Sequence, residues 1–309
     1  MIDWAFVLTP LLVLPIALMF SFVGCSDFGE GPSAVVKPPR YRDYIMGVHD
    51  NPGTVPHPDF KPNVADVIAY WRLVDDAANT VAKDEKGFQH GAYVTKSDAA
   101  ASGFFTGQPG LITTDPGMMC RLYDGGYVQI PFKHELYTDD FTVEAWIKPQ
   151  WGTATTGFTH VLFTAGGHYS RPFSGGEPPR FVGFTILVGK DNHWQVFMFP
   201  HVGAVFSVTP LVLPNKRTHF ALTVKRDVGQ SHVTLFVDGK QFGPENIGLF
   251  TKPDGAPFLI AINNTESSPF NPIKPIDPII ANVQEVVLYR KALSLEEVQN
   301  HIALNPEKV

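Results

Sequence analysis

The carboxylates of this 309-residue chain do not form the pattern that hydrolysis of a sugar bond on β-strands requires. Acids two residues apart on a strand share a face, so a catalytic pair would give an alternating run such as E-x-D-x-x-E. No such run occurs, and Glu144 stands alone between Thr142 and Trp146 on one face of an alternating segment. We therefore expect a structural role for Glu144, paired with an arginine or with backbone donors.

Nucleophilic and metal-assisted chemistry also lack a sequence signature. There is no G-x-S-x-G turn, and Cys120 has no histidine near it in sequence. The 11 histidines are scattered without an H-E-x-x-H pair, so His193 and His219 are expected to be ordinary surface or core residues. From these absences the sequence predicts that the chain is not an enzyme and has no cofactor.

Sugar binding requires a different pattern, an exposed aromatic ring beside polar donors. Trp151, Tyr169 and Trp194 are the candidates for such a ring. Exposed aromatic residues mark protein interfaces equally well, so both interpretations stay open here.

Short alternating segments separated by turn residues must position these groups. Phe141, Val143, Ala145 and Ile147 fall on one face of their segment, which predicts a half-buried β-strand. Comparable segments occupy residues 161–163, 184–188, 194–199, 219–224, 233–237, 258–262 and 285–289, and the pair Asp238-Gly239 predicts a hairpin turn. Strands without intervening helices indicate an antiparallel sandwich. Ser294 and Glu297 form a capping box, which predicts a short C-terminal helix.

Composition agrees with a β-rich protein and limits its partners. The chain has 27 Pro, 27 Gly and 24 Phe, which favour many turns and an aromatic core. A net charge of −6 without a basic stripe argues against nucleic acid as a partner. The two cysteines, Cys25 and Cys120, exclude a framework of several disulfides.

Five ordered motifs resemble the laminin-G-like, concanavalin A-like lectin-glucanase superfamily. They are AYWRL at residues 69–73 with AKD and Gly87, DGGYVQIP at 124–131, FTVEAWIKP at 141–149, FVDG at 236–239, and VVLYRKALS at 286–294 with EEV at 296–298. The resemblance covers about residues 64–303 and implies an all-β fold, a two-sheet antiparallel jelly-roll-like sandwich, for residues 63–309. It also implies calcium as the candidate ion, with Asp115, Asp124, Asn263 and Asn264 as oxygen donors that form no regular loop motif.

Residues 4–24 contain no charged side chain and are long enough to cross a bilayer as a helix. We therefore expect residues 1–25 to form an uncleaved transmembrane anchor. A secretory signal would have Lys or Arg in its first residues and a shorter apolar core. A lipoprotein signal that acylates Cys25 and a buried or interfacial helix are the alternatives.

The charged residues near the predicted span do not decide on which side of the membrane the domain lies. Lys37, Arg40 and Arg42 follow the span and favour a cytoplasmic domain, whereas the nearest charges are Asp27 and Glu30. Because domains of the resembled family usually lie outside the cytoplasm, we expect a single-pass membrane protein with a periplasmic, extracytoplasmic sandwich.

Residues 26–62 are rich in Pro and Gly and show neither helical nor strand periodicity, which predicts an extended arm or linker. Such an arm is either a tether or a segment that lies along a partner. The residues expected to contact a partner are of interface-forming types: Trp4, Arg40, Tyr41, Arg42 and Tyr44.

Two functions from different classes follow from these features. The first is a non-catalytic membrane-anchored subunit that scaffolds integral membrane proteins of a larger complex, such as a photosynthetic reaction-centre–antenna assembly. Its partners would be those proteins and membrane lipid. The alternative is a cell-surface carbohydrate-binding or adhesion module whose partner is a glycan.

Overall fold

The computed structural model describes most of the chain that follows residue 40. The described residues are 41–47, 64–75, 80–95, 103–112, 118–123, 125–150, 160–169, 180–201, 203–206, 209–264 and 275–304. Within these ranges no helix is long and apolar enough to cross a membrane. The predicted transmembrane segment, Cys25, Trp4 and Arg40 lie outside the described residues.

Sheet I contains eight antiparallel strands in the described part of the chain. Their order is β13-β12-β11-β7-β17-β5-β4, and β1 also pairs with β17. The strands are β1 (Val67–Trp71), β4 (Gly103–Pro109), β5 (Met118–Tyr123), β7 (Phe141–Pro149), β11 (Thr218–Asp227), β12 (Gln230–Val237), β13 (Lys240–Gly248) and β17 (Ala281–Tyr289).

Sheet II, within the same described ranges, contains seven antiparallel strands in the order β10-β9-β8-β14-β6-β3-β2. They are β2 (Val81–Ala82), β3 (Gly91–Val94), β6 (Tyr127–Ile130), β8 (His160–Tyr169), β9 (Arg180–Val188), β10 (Trp194–Met198) and β14 (Phe258–Ile260). A short separate ladder joins β15 (Asn263–Asn264) to β16 (Pro275–Ile276).

The core lies between the two sheets and follows from strand alternation. Phe141, Val143, Ala145 and Ile147 of β7 point into it and are at most 3% exposed, as the sequence predicts. Side chains from β8, β9 and β14 of sheet II meet them, and Phe141 stacks on Phe184 with ring centroids 5.5 Å apart. The structure therefore confirms the all-β, two-sheet sandwich.

Local signals at the turn and the C-terminal helix are also confirmed. Asp238 and Gly239 both have positive φ, 49° and 74°, and join β12 to β13 as a hairpin. Helix α2 (Leu295–Ala303) begins at Ser294, whose side chain accepts a hydrogen bond from the backbone N–H of Glu297 in a complete capping box.

The structure differs from the sequence within the predicted arm. Residues Tyr41–Met46 form a short helix, α1, where the sequence shows no clear period. Tyr41, Tyr44 and Ile45 are each at most 5% exposed, because this face packs against the outer face of sheet I and α2. Packing rather than intrinsic propensity explains so short a helix. Two 3₁₀ turns, Val64–Asp66 and His134–Leu136, complete the helical elements of the described residues.

Candidate functional site

The outer face of sheet I carries polar and aromatic side chains near the edge formed by β4. On β5, Cys120 and Leu122 belong to the core between the sheets. Because side chains alternate along a strand, Arg121 and Tyr123 point to the outer face.

The same rule places two further residues on this face. Ala281 and Val283 of β17 are buried in the core, so Asn282 between them points outward. On β4, Phe104 packs against the core and Phe105 points outward, where 51% of it is exposed.

Strand register aligns these residues into one row. Phe105 pairs with Arg121, Arg121 with Asn282, and Asn282 with Lys148 of β7. Three inter-strand spacings make the row about 14 Å long. We call the four residues of the row together with Tyr123 the Asn282 platform.

One end of the platform is an aromatic stack. The rings of Phe105 and Tyr123 are nearly parallel, at 7°, with centroids 4.7 Å apart. Tyr123 therefore covers one face of the Phe105 ring, and the half-exposed Phe105 leaves an apolar surface open to solvent on an otherwise polar row.

The middle of the platform contains an unpaired donor and an unpaired acceptor. Asn282 is 4% exposed, and its Oδ1 has no hydrogen-bond partner in the described part of the chain. The buried Nε of Arg121, on the neighbouring strand, has none there either. Leaving such groups unpaired typically costs about 1–3 kcal/mol each, so they require a physical explanation.

Hydroxyl groups can both accept a hydrogen bond from an N–H such as Nε of Arg121 and donate one to a carbonyl oxygen such as Oδ1 of Asn282. Lys148 adds a cationic donor at one end of the row, and Phe105 adds an apolar face at the other. The platform is therefore suited to a ligand that combines several hydroxyls with an apolar surface.

Buried hydrogen bonds hold the strand beneath the platform. Gln284, two residues along the same face, accepts a bond from the backbone N–H of Leu111 at 2.7 Å and donates to Glu285 at 3.1 Å. Glu285 lies at a bulge of β17 with φ of 56° and also accepts bonds from Tyr70 and from Arg72. A non-glycine residue in this conformation is held there by its surroundings.

A separate network on the same face centres on Glu144. This carboxylate is fully buried and accepts a bond from the Tyr41 hydroxyl at 2.9 Å. Nε2 of His219 and Nδ1 of His301 lie 2.6 Å and 2.9 Å from its oxygens. Burial acts to raise the pKa of Glu144, but the adjacent His301 and His219 outweigh it and hold that pKa well below its usual range. The structural role expected for Glu144 is filled by histidines and a tyrosine instead of an arginine.

The predicted partner-binding residues that the structure describes contact the chain itself. Tyr41 bonds to Glu144, and Arg42 forms an ion pair with Glu85 at 3.1 Å. Tyr44 packs edge-on against His301 with ring centroids 5.4 Å apart. Contact of these residues with another protein stays a prediction.

Two surface clefts fit a hydroxyl-rich ligand less well than the platform. One, of about 450 Å³, lies beside α2 and contains Lys225, His232 and Gln241, but its aromatic residue, Phe236, is 2% exposed. The other, of about 480 Å³, follows β10, and there Asp191 accepts a hydrogen bond from the backbone N–H of His193 in a tight turn. Among the described residues, neither cleft offers an exposed Phe, Tyr or Trp ring.

The aromatic and calcium-binding candidates from the sequence fall elsewhere. Trp194 is 1% exposed and belongs to the core, so it cannot serve as a sugar platform.

Two of the calcium-binding candidates lie in a short strand. Asn263 and Asn264 form β15, where the side chain of Asn263 accepts a hydrogen bond from the backbone N–H of Asn264. Outside the described residues lie Trp151, the side chain of Tyr169, Asp115 and Asp124. No group of three or more metal-ligating acidic, His or Cys side chains occurs in the ranges given above. Calcium binding stays a prediction.

The fold and the outer-face geometry define a two-sheet concanavalin A-like sandwich. The chain belongs to the concanavalin A-like lectin/glucanases superfamily, whose laminin G-type family model matches residues 123–299, more than half of the chain. No curated protein matches the sequence.

Solved structures share the fold at low sequence identity. Trypanosoma rangeli sialidase in complex with 2,3-difluorosialic acid is 15% identical with a TM-score of 0.53, over 86% of this chain and 38% of the sialidase. A mutant of the same sialidase with trans-sialidase activity is also 15% identical, with a TM-score of 0.51 over the same shares. Domain 4 of AbnA, a GH43 arabinanase from Geobacillus stearothermophilus in complex with arabinotriose, is 16% identical with a TM-score of 0.47, over 76% and 98%. This chain thus spans well under half the length of the sialidase, and the likeness concerns the fold.

These neighbours correct the prediction that the chain is not an enzyme. That prediction rested on missing catalytic motifs, yet the same fold occurs in sialidase chains at 14–15% identity. Missing motifs therefore do not exclude catalysis on this sandwich. The comparisons also give no support to a scaffold of a photosynthetic complex.

Sequence reasoning missed the platform because the edge strand β4 and its neighbour β5 carry weak signals. The β4 segment GFFTGQP contains two glycines and a proline, and β5 reads MMCRLY without clean alternation. The pairing of Arg121 with Asn282 joins residues 161 positions apart in sequence, which no local pattern reveals. The adjacent Phe104 and Phe105 could have predicted that one aromatic ring lies on each face of this strand, since successive side chains point to opposite faces.

Proposed function

We propose that this chain is a carbohydrate-binding concanavalin A-like protein and that saccharides bind at the Asn282 platform. One observation carries the proposal. Arg121 and Asn282, which are paired across β5 and β17, each carry a buried polar atom without a hydrogen-bond partner in the described residues, and the exposed Phe105 pairs with Arg121 on the other side. Membership in a superfamily of lectins and glucanases supports the same class of ligand.

The chemistry of a pyranose matches each part of the platform. Its hydroxyls both donate and accept, so they can bond to the donor of Arg121 and to the acceptor of Asn282. The C–H face of the ring is apolar and packs on an aromatic side chain such as Phe105. A row of about 14 Å accommodates two or three sugar units laid across the strands.

The first experiment is a glycan array probed with the full chain, followed by calorimetry with the strongest saccharide. We expect Phe105→Ala to weaken binding about tenfold, because a ring contact of about 1.4 kcal/mol is lost. Phe105 is half exposed, so the folded structure should survive this change.

Gln195→Ala in the β10 cleft is the matched control and should leave the affinity unchanged. The proposal is wrong if no saccharide binds. It is equally wrong if the two variants weaken binding by the same factor.

A further inference from the structure

Two cationic side chains flank Asn282 on the platform. Arg121 of β5 pairs with Asn282 on one side, and Lys148 of β7 pairs with it on the other. Two inter-strand spacings set the backbones of the two cations about 10 Å apart. Both side chains are half-buried, so their charges are only partly hydrated. Two like charges at this distance repel each other, and a negative charge between them would relieve the repulsion.

Neither cation has an anionic partner in the described part of the chain. The ion pairs of those ranges use other Arg, Lys and His side chains. The buried Nε of Arg121 also lacks a hydrogen-bond acceptor there. An unpaired surface lysine is ordinary, but a buried guanidinium N–H without an acceptor is rare.

The four strands of the platform contain only two acidic side chains, and both are already paired. Glu285 of β17 is fully buried and forms an ion pair with Arg72 at 3.3 Å. Glu144 of β7 is fully buried between two histidines. Strands β4 and β5 contain no acidic residue. The acids that flank β5 in sequence, Asp115 and Asp124, lie outside the described residues. Within the described strands the row therefore carries two positive charges and no free negative one.

Another cation borders the row beside Lys148. Arg217 immediately precedes β11, whose register with β7 pairs the next residue, Thr218, with Ile147. The guanidinium carbon of Arg217 lies 5.2 Å from the centroid of the Trp146 ring, and Nη1 donates to the carbonyl oxygen of Leu111 at 3.0 Å. These contacts hold Arg217 in place and fix the edge of the platform next to Lys148.

We propose that the saccharide bound at the Asn282 platform is acidic and that its carboxylate or sulfate group binds between Arg121 and Lys148. This inference rests on the function proposed above and names the class of saccharide. The planar guanidinium of Arg121 can donate two parallel hydrogen bonds to such a group, one of them from Nε. Lys148 adds a point charge from the other side of Asn282. Because Phe105 pairs with Arg121, a sugar ring packed on Phe105 has its substituents within reach of that guanidinium.

The test is a glycan array of paired ligands probed with the full chain. Oligomers of galacturonic acid, glucuronic acid and sulfated galactose are each printed beside a neutral counterpart, the methyl ester or the desulfated sugar. We expect the strongest ligand to be acidic and, in calorimetry, to bind about tenfold more tightly than its neutral counterpart. The uronic acids and the sulfated sugars distinguish a carboxylate from a sulfate as the recognised group.

The preference for the acidic ligand should also depend on salt. Raising the ionic strength from about 0.01 M to about 0.15 M shortens the screening length from about 30 Å to about 8 Å. The affinity for the acidic ligand should therefore fall, while that for its neutral counterpart changes little. An affinity for the acidic ligand that does not respond to salt would contradict an electrostatic origin of the preference.

Lys148→Gln locates the preference on the platform. It should lower the ratio of the acidic to the neutral affinity about fivefold, whereas a merely structural effect would lower both affinities together. Lys225→Gln removes the same charge from the cleft beside α2 and is the matched control, which should leave the ratio unchanged. Equal effects of the two variants would overturn the inference.

The array separates this inference from the function on which it rests. A neutral counterpart that binds as tightly as the acidic ligand would overturn the inference and leave saccharide binding at the platform standing. Absence of binding to both members of every pair would overturn both proposals.

Discussion

At the scale of single residues, Glu144 and Asn282 show opposite uses of a buried polar group. Glu144 is paired with Tyr41, His219 and His301 and stabilises the contact of two helices with sheet I. Asn282 keeps an unpaired oxygen on the same sheet, in the described part of the chain. The sequence indicated a structural Glu144, but it could not name partners that lie 75 and 157 residues away.

Replacing Glu144 should destabilise the fold. We expect Glu144→Gln to lower the free energy of unfolding by about 3 kcal/mol, because a buried ionic network loses its anion. Urea denaturation measures the loss, and Glu245→Gln on the exposed part of β13 is the control. A loss equal to that of the control would contradict the role assigned to Glu144.

The same residue sets a pH dependence with a definite sign. Because the pKa of Glu144 is lowered in the folded state, its contribution is fully present above its unfolded pKa of about 4.3. That contribution is lost as the pH falls toward the folded pKa. The gap in stability between the native chain and Glu144→Gln should therefore shrink below about pH 4. A gap that widens on acidification would have the wrong sign.

At the scale of elements, a strand, turn or helix could be predicted where a pattern within a few residues of sequence specifies it. The alternation of β7, the Asp238-Gly239 turn and the capping box of α2 each lie within a few residues of sequence, and all three are confirmed. Helix α1 packs against distant strands and α2, and strand β4 forms its ladder with β5, the next strand along the chain. Their own segments carry no matching pattern, and the platform on β4 was missed for this reason.

The cap of α2 can be tested on its own. Ser294→Ala removes the acceptor for the backbone N–H of Glu297 and should lower the free energy of unfolding by about 1 kcal/mol. Thermal or urea denaturation measures this loss of stability. Ser231→Ala is not a suitable control, because the Ser231 hydroxyl accepts a hydrogen bond from the backbone N–H of Phe250. Glu296→Gln, in the first turn but outside the box, is a better comparison. An unchanged midpoint for Ser294→Ala would show that packing alone holds α2.

At the scale of the whole molecule, one sandwich presents distinct surfaces. The outer face of sheet I is covered by α1 and α2 near Glu144 and carries the Asn282 platform towards β4. Composition and five ordered motifs were sufficient for the fold. They were not sufficient to predict the Asn282 platform, because it is assembled from four strands whose neighbours are set by the sheet topology.

The most direct test of saccharide binding at the platform is an NMR titration of the full, isotopically labelled chain with the best glycan from the array. We predict that the amide signals of Phe105, Arg121 and Asn282 shift together and saturate with one dissociation constant, while those of β10 stay in place. Shifts confined to the β10 cleft or the α2 cleft, with the platform unmoved at saturation, would contradict the account.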